Sequence, residues 1–327
     1  MRLKRTLDID ITDWGFGRPV SFEGSTMSEC AICTKGLTKH YGKVEALNDL
    51  DLDIQKGEVF GFLGPNGAGK TTTIRTMMDE IRATCGTATI LGMDSHTDAL
   101  KLRRSIGYLP GDLALYPKLT GNDTITYYAN LRGGVDTSYV KVLAERLGAD
   151  LTKKVGDLSS GNRQKVGLIQ AFMSKPDIII MDEPSSGLDP LVQRELQKMM
   201  REIADEGRTV FLSSHTLSEV QRVADRVGII RHGRLIALET VQALRAKAVR
   251  QVEIELDAPV DVGVFESVEG VTEVRAQNHH VVMTFGGDMG ALLRAVEGRY
   301  NIVDISTQSA DLEEIFLTYY QDETAGA

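Results

Sequence analysis

The feature that most constrains the fold is the glycine-rich segment 64–71, which reads GPNGAGKT. It matches the pattern G-x-x-x-x-G-K-[ST], in which glycines let backbone N–H groups turn inward around phosphate oxygens. An apolar segment, 59–63, precedes it, and Ile74, Met77 and Met78 follow at helical spacing. The sequence therefore predicts a strand, a phosphate-binding loop and a helix, in that order.

The residues of this loop are candidate contacts for the phosphates of ATP. Lys70 can reach the β- and γ-phosphates, and the hydroxyl of Thr71 can bind Mg²⁺. The N-terminus of the following helix adds partial positive charge. The predicted nucleotide-binding residues of the loop are Gly64, Pro65, Asn66, Gly67, Ala68, Gly69, Lys70, Thr71 and Thr72.

A second segment, 176–183, reads PDIIIMDE and ends an apolar strand in two adjacent carboxylates. Asp182 is placed to hold Mg²⁺ through water. Glu183 is placed to polarise an attacking water molecule as a general base. The alternative for such a segment alone is a strand that ends in a solvated acidic turn. The phosphate loop favours the catalytic interpretation.

The alternation of strand-like and helical runs from about residue 31 to 235 predicts an α/β core with a mainly parallel sheet. Residues 50–54 alternate between apolar and polar and predict a strand with one solvated face. Residues 1–26 are polar and glycine-rich and are predicted to be a disordered extension. The core domain is assigned to 27–240, followed by a short helical linker at 241–250. The absence of an internal repeat indicates one nucleotide-binding module per chain.

Residues 246–327 are predicted to form a small acidic α+β accessory domain. From residue 251 onward there are 15 Asp and Glu against three Arg, a net charge of −12, whereas the whole chain carries −9. Such a distribution argues against a nucleic-acid partner. The domain is predicted in β-α-β-β-α-β order plus a last helix. The predicted segments are strand 250–257, helix 262–268, strands 271–276 and 279–285, helix 289–299, strand 301–306 and helix 311–320.

No run of about 18 apolar residues and no secretory leader occurs in the sequence, so we expect the chain to stay in the cytosol. Its three cysteines are consistent with a reducing compartment. Cys30 and Cys33 form a CxxC pair in a predicted strand. A zinc site would need further ligands nearby and a redox motif would begin a helix, so the pair is interpreted as small strand residues. The pair His279–His280 is interpreted as solvated.

With these motifs in the order found here, residues 31–240 resemble the ABC transporter ATPases. Segment 158–165, LSSGNRQK, resembles the family's signature loop, and segment 185–190, SSGLDP, resembles the loop after the catalytic glutamate. His215 resembles the switch histidine that contacts the γ-phosphate. Tyr41 stands where the family places an aromatic ring against adenine.

The resemblance implies an α/β P-loop ABC ATPase core, with a mainly parallel sheet, antiparallel strands and a helical subdomain. It also implies that ATP is held between Lys70 of one subunit and Ser159 and Gly161 of a second ATPase subunit, either another copy or a relative. The expected partner is an integral membrane permease, which would hold the protein on the cytoplasmic face of the cell membrane. Segment 311–317, DLEEIFL, resembles drug-resistance exporters. An importer ATPase and a soluble ABC ATPase of translation or DNA repair are the alternatives.

Two departures from the family pattern stand out. The signature loop has Ser160 and Asn162 where Gly and Gln are commoner. Serine at this position is unstrained only if its φ is negative. Gly111 stands where the family usually has a glutamine that helps to bind metal and water and links the ATP site to the membrane subunit. Asp112 is the candidate substitute for that side chain.

Overall fold

The computed structural model describes residues 30–247, 250–287 and 289–309. The predicted extension 1–26 and the predicted helix 311–320 lie outside the described residues.

The secondary structure follows the predicted alternation of strands and helices. In chain order the strands are β1 (Cys30–Tyr41), β2 (Val44–Gln55), β3 (Val59–Leu63), β4 (Cys85–Ile90), β5 (Met93–Asp94), β6 (Ile106–Leu109), β7 (Ile178–Asp182), β8 (Thr209–Ser214), β9 (Arg226–Arg231), β10 (Arg234–Thr240), β11 (Arg250–Leu256), β12 (Val271–Gln277), β13 (His280–Phe285) and β14 (Ile302–Ser309). The helices are α1 (Lys70–Met77), α2 (Ala99–Ser105), α3 (Gly121–Leu131), α4 (Thr137–Leu147), α5 (Ser160–Phe172), α6 (Pro190–Asp205), α7 (Leu217–Val220), α8 (Val241–Lys247), α9 (Val262–Glu266) and α10 (Met289–Val296).

A six-stranded sheet in the order β10-β9-β3-β8-β7-β6 carries the site. Its neighbours pair in parallel except for β10 and β9, which are antiparallel. The register places Leu63 opposite Ser214 and Asp182 opposite Ser213. Because parallel strands end at the same edge of a sheet, the segments that follow β3, β7 and β8 meet there.

Two hydrophobic clusters cover the two faces of this sheet, and β7 shows the division. Ile179 and Met181 pack into the cluster that contains α5 and α6 residues, whereas Ile178 and Ile180 pack into the cluster that contains α1 residues. All four side chains are fully buried. Continuous apolar character in this strand therefore reflects burial on both faces, and each such side chain contributes about 1.5–3 kcal/mol.

A second sheet, β2-β1-β4-β5, is antiparallel. The predicted period-two strand lies in β2, where Leu50, Leu52 and Ile54 are buried and Asp51 is exposed. Alternation in this strand reports one buried and one solvated face, as predicted.

The helices α3 and α4 pack against α5 and form the helical part of the core domain. Thr120 begins α3 with a capping box, because its hydroxyl accepts from the backbone of Asp123, whose side chain accepts from the Thr120 N–H. Asp136 caps the N-terminus of α4, and Gly148 ends α4 in the left-handed conformation. Local sequence thus sets the bounds of these helices.

The accessory domain has the predicted β-α-β-β-α-β order, with β11, α9, β12, β13, α10 and β14. Its four-stranded antiparallel sheet has the order β12-β13-β11-β14. A separate cluster that includes Val252, Ile254, Phe265, Phe285 and Leu292 forms its core. The predicted linker helix is α8.

The interpretation of Cys30 and Cys33 as simple strand residues is wrong. Both lie in β1, as predicted, but the structure joins them as a disulfide, with their Cα atoms 6.2 Å apart. In a regular strand, residues three apart point to opposite faces. The register of β1 against β2 shifts between Cys30 and Ile32. We infer that this bulge brings both sulfur atoms to the same side.

Candidate functional site

The loop between β3 and α1 has the backbone that phosphate binding requires. Gly67 and Gly69 have φ values of 82° and 113°, in the region that favours glycine. A Cβ on Gly64 would lie 2.6 Å from the carbonyl oxygen of Ile230. Pro65 and Asn66 form the exposed tip of the loop together with Gly67.

The second half of the loop leads into the helix. Ala68, Gly69 and Lys70 are buried, whereas Thr71 is exposed and Thr72 is half-buried. The carbonyl of Thr72 accepts a hydrogen bond from Thr76 within α1. Residues 64–72 therefore wrap the N-terminus of α1, where the unpaired N–H groups and the helix dipole favour an anion.

Lys70 joins the loop to the acidic strand end. Its side chain is only 6% exposed, and its ammonium group donates to the carbonyls of Gly64 at 2.6 Å and Pro65 at 3.3 Å. The same nitrogen lies 3.2 Å from Oε1 of Glu183. A buried ammonium needs such partners, and these hold it at the mouth of the loop.

Asp182, at the end of β7, is fully buried and accepts from two hydroxyl groups. Thr71 Oγ1 donates to its Oδ2 at 2.7 Å. Ser213 Oγ donates to its Oδ1 from the adjacent strand. A hydroxyl and a carboxylate from the two predicted metal-binding positions are thus in direct contact, an oxygen pair that suits a hard cation such as Mg²⁺.

Glu183 follows Asp182 with a backbone φ of 52°, an uncommon conformation for a residue other than glycine. Its N–H donates to Ser213 Oγ at 3.0 Å, which supports the turn. Its Oε2 lies 2.8 Å from Nδ1 of His215. An ionised carboxylate only accepts, so the imidazole donates from Nδ1. Strain of this kind, of the order of 1–3 kcal/mol, is concentrated at functional sites.

The signature segment begins α5. The hydroxyl of Ser159 caps the helix by accepting from the N–H of Asn162 at 3.2 Å. Ser160 is the first helical residue and has no positive φ, so serine fits here without strain. The amide of Asn162 is used within the chain, since it accepts from the N–H of Asp150 and donates to the Asp150 carbonyl.

Gly161 lies against the loop that follows the acidic pair. A Cβ on Gly161 would lie 2.4 Å from the carbonyl oxygen of Gly187. Gln164 donates from α5 to the carbonyl of Pro184 at 3.1 Å. The signature segment and the segment after Glu183 are therefore one packed unit.

The chain does not bring the signature residues to the phosphate loop. Ser159, Ser160 and Gly161 line an open cavity of about 480 Å³ together with Gly187, and no residue of 64–72 lines it. Within the described residues, the two predicted halves of the ATP site are thus separate.

Tyr41 ends β1, and Gly111 follows β6. Tyr41 is 50% exposed, and the ammonium of Lys39 lies 5.0 Å from its ring centroid. An exposed aromatic ring of this kind can stack on a planar group. A Cβ on Gly111 would lie 2.9 Å from Oδ2 of Asp182. The backbone of Gly111 therefore adjoins the predicted metal site, and Asp112 is exposed beside it.

Sequence reasoning missed Ser213 and Gly187. Ser213 contacts both Asp182 and Glu183, and its position at the end of the strand paired with β7 was the signal that could have identified it. Gly187 has a φ of 72°, and its carbonyl oxygen lies so close to Gly161 that a side chain at position 161 would clash with it, a contact that no local pattern reveals.

A phosphate loop at the end of one strand, with two carboxylates at the end of a neighbouring one, defines a P-loop nucleotide-binding site. An ABC transporter family model matches residues 47–186. The chain is 31% identical to the bacitracin transport ATP-binding protein BcrA of Enterococcus faecalis, over 88% of this chain and 96% of that protein. It is 29% identical to the linearmycin resistance ATP-binding protein LnrL of Bacillus subtilis, over 86% and 96% of the two chains.

Among solved structures, the ATP-binding subunit of an ABC transporter aligns with a TM-score of 0.61 and 30% identity, over 66% of this chain and 92% of that one. The chain belongs to the ABC transporter family and is one of its ATP-binding, ATP-hydrolysing proteins. The predicted α/β P-loop fold is confirmed. None of the helices in the described ranges has the length and apolar character needed to cross a bilayer.

Proposed function

We propose that this protein is the ATPase subunit of an exporter and drives a separately encoded permease from the cytoplasmic face of the membrane. The observation that carries the proposal is the contact of Lys70, Glu183 and His215 at one sheet edge, in a chain similar over most of its length to an antibiotic transport ATPase. ATP hydrolysis there would shift the population of dimer states and so move the permease.

In this proposal Glu183 accepts the proton of the attacking water, and His215 holds its carboxylate in place and contacts the γ-phosphate. The 2.8 Å contact between them supports this pairing. Lys70 exchanges its contact with Glu183 for phosphate oxygens, which frees the carboxylate for the water. Removing a positioned base typically lowers the rate by about 10²–10⁴-fold.

Thr71 and Asp182 would hold Mg²⁺, whose charge offsets that of the phosphates. Their oxygen atoms fit this role, because they already touch at 2.7 Å and Ser213 fixes the second Asp182 oxygen. Tyr41 would stack on the adenine. The loop residues 64–72 would donate backbone N–H groups to the phosphates.

A second ATPase subunit would complete the site with Ser159 and Gly161. The separation of the signature cavity from the phosphate loop within this chain supports this arrangement. The N-terminus of α5 in the partner would present N–H groups to the γ-phosphate. We propose a second copy of this chain as that partner.

The permease would dock on a groove between α2 and α3, beside the segment 106–112. The groove has a volume of about 710 Å³. Leu100 and Leu131, which line it, are 81% and 66% exposed, and Arg103 and Arg104 add positive charge. Large apolar side chains that are exposed and lie close together are typical of interaction surfaces.

Purification of the chain from native membranes, with identification of the co-purifying protein, tests the proposal. We expect a polytopic membrane protein, and recovery with ribosomes or DNA instead would overturn the transport function. Leu131→Asp should release the permease while ATP binding is retained. Val142→Asp is the matched control: it changes a 46% exposed residue of α4 outside the groove and should leave permease binding unchanged. Uptake and efflux of labelled substrate in membrane vesicles would separate an exporter from an importer.

A further inference from the structure

The CxxC pair that the ATPase site does not use lies next to a carboxylate. Cys33 in β1 is the cross-strand partner of Asp53 in β2, and Cys30 is opposite Gln55. Cys30 is buried, and Cys33 and Asp53 are half-buried. One ligand atom from each of Cys30, Cys33 and Asp53 lies within 4.8 Å of the other two.

The carboxylate is held by its surroundings. Gln55 Nε2 donates to Asp53 Oδ1. Arg226 Nη1 donates to the backbone carbonyl of Asp53 at 3.0 Å and to Glu58 Oε1 at 3.2 Å. The guanidinium is thus shared with Glu58. Contacts to both its side chain and its backbone therefore hold Asp53 beside the two sulfur atoms.

The three groups together suit a divalent cation. Such an ion binds two thiolates and a carboxylate at once and offsets their mutual repulsion. Thiolate sulfur and carboxylate oxygen are both zinc ligands, and Zn²⁺ favours four-coordinate tetrahedral sites.

We propose that the reduced chain binds Zn²⁺ through the Sγ atoms of Cys30 and Cys33 and a carboxylate oxygen of Asp53, with water as the fourth ligand. Gln55 would orient the carboxylate from outside the metal shell, as partners of metal ligands commonly do. The ion would join β1 to β2 at the start of the antiparallel sheet.

The site exists only in the reduced state. Two molecules of a small thiol such as glutathione reduce the Cys30–Cys33 disulfide by exchange, which gives two protein thiols and one small-molecule disulfide. Binding of Zn²⁺ then releases the two thiol protons to solvent. The disulfide and the metal site are therefore alternative states of the same two sulfur atoms.

Titration of the full chain with Co²⁺, in the absence of ATP, tests the proposal. The chain is reduced with a phosphine, freed of reductant without oxygen and titrated. We expect one equivalent of Co²⁺ to produce a thiolate-to-cobalt charge-transfer absorption, which Zn²⁺ then abolishes by displacement. The chain oxidised with glutathione disulfide should give no such absorption. Absence of the band from the reduced wild-type chain would overturn the site.

Three variants and a control assign the ligands. Cys33→Ser should lose the charge-transfer band of the two-thiolate site. Asp53→Asn should weaken Co²⁺ binding at least tenfold, and Gln55→Leu by roughly tenfold. Cys85→Ser removes the exposed free cysteine of the same sheet and should leave the titration unchanged. An unaltered titration of Asp53→Asn or of Cys33→Ser would refute the three-ligand site, and circular dichroism establishes that each variant is folded.

Discussion

The end of the parallel sheet and the signature segment are built in opposite ways. At the sheet edge, side chains from distant parts of the chain contact one another, with Lys70 3.2 Å from Glu183 and Thr71 2.7 Å from Asp182. In the signature segment, the polar groups of Ser159 and Asn162 are used by neighbouring backbone of the same chain. In the first region, side chains from several segments come together at one site. In the second region, the polar groups fix the shape of an exposed surface.

This difference supports the proposal that one chain supplies half of a catalytic site. The sheet edge carries the groups proposed to act on phosphate and water, and no residue of the phosphate loop lines the cavity at the signature segment. The α5 N-terminus is shaped by the cap at Ser159 and by the close contact of Gly161 with Gly187. A preformed surface of this kind loses little conformational freedom when a partner binds. We infer that ATP joins the two regions across two subunits.

Glu183→Gln should have the largest effect, and it acts on the sheet edge alone. The amide cannot accept the proton, so the hydrolysis rate should fall by about 10²–10⁴-fold. ATP binding should be kept, and the ATP-bound dimer should accumulate. Phosphate release and light scattering with ATP and Mg²⁺ measure both. Retained hydrolysis would remove Glu183 from the role of base.

Lys70→Ala should weaken ATP binding by a smaller factor, on the order of ten- to hundredfold, because charge-assisted hydrogen bonds to phosphate are lost. Equilibrium binding of a fluorescent ATP analogue measures this. Lys198→Ala is the control, since Lys198 is an exposed lysine of α6 that lies near Glu195 and lines neither the phosphate loop nor the signature cavity. Equal ATP affinity in Lys70→Ala and wild type would contradict the site.

Gly111→Gln should shift the Mg²⁺ concentration needed for hydrolysis by a few-fold. A Cβ at this position would lie 2.9 Å from Oδ2 of Asp182, closer than the two atoms can pack, so the new side chain should displace this carboxylate within the predicted metal site. If Asp112 has taken over the role of the family's glutamine, Asp112→Ala should lower hydrolysis more than Gly111→Gln does. Mg²⁺ titrations of the ATPase rate compare the two, and no effect from either would mean that this loop does not act on the metal.

Removal of residues 246–327 should have the smallest effect on nucleotide binding. The accessory domain has its own hydrophobic cluster, which shares no residue with the two clusters of the core. We expect the remaining chain to bind ATP like the full protein. Sedimentation of the truncated chain then measures dimerisation. Weaker dimerisation would mean that the acidic domain supports the dimer, and unchanged dimerisation would mean that it serves only solubility. Loss of ATP binding would contradict an independent accessory domain.

The fold and the acidic edge were predictable because their signals are local. Strand β7 is apolar throughout because both its faces are buried, and Gly67 and Gly69 are needed for turns that few other residues adopt. The accessory domain followed from the alternation of its strands. In each case, the residues that form the pattern are close together in the sequence and belong to the element that they predict.

Features that depend on contacts between distant segments were not predictable. The contact of Ser213 with Asp182 joins residues 31 apart in sequence. The contact of Gly161 with Gly187 likewise depends on tertiary packing. The disulfide between Cys30 and Cys33 is local in sequence, but it depends on a bulge in β1 that the strand pattern does not reveal. The predicted roles of Tyr41 and of the second subunit remain predictions, because they concern a nucleotide and a partner chain.

Complementation between two inactive variants tests the shared site most directly. Lys70→Ala impairs the phosphate loop. Ser159→Arg impairs the signature surface. Because Ser159 is exposed, the larger arginine side chain fits in the isolated chain. The substitution also removes the N-cap of α5, which costs about 1 kcal/mol.

If each ATP is held between Lys70 of one copy and Ser159 of another, a mixed dimer contains one intact site. We therefore predict that an equimolar mixture hydrolyses ATP clearly faster than either variant alone at the same total concentration. A mixture no faster than the mean of the two variants would contradict the account.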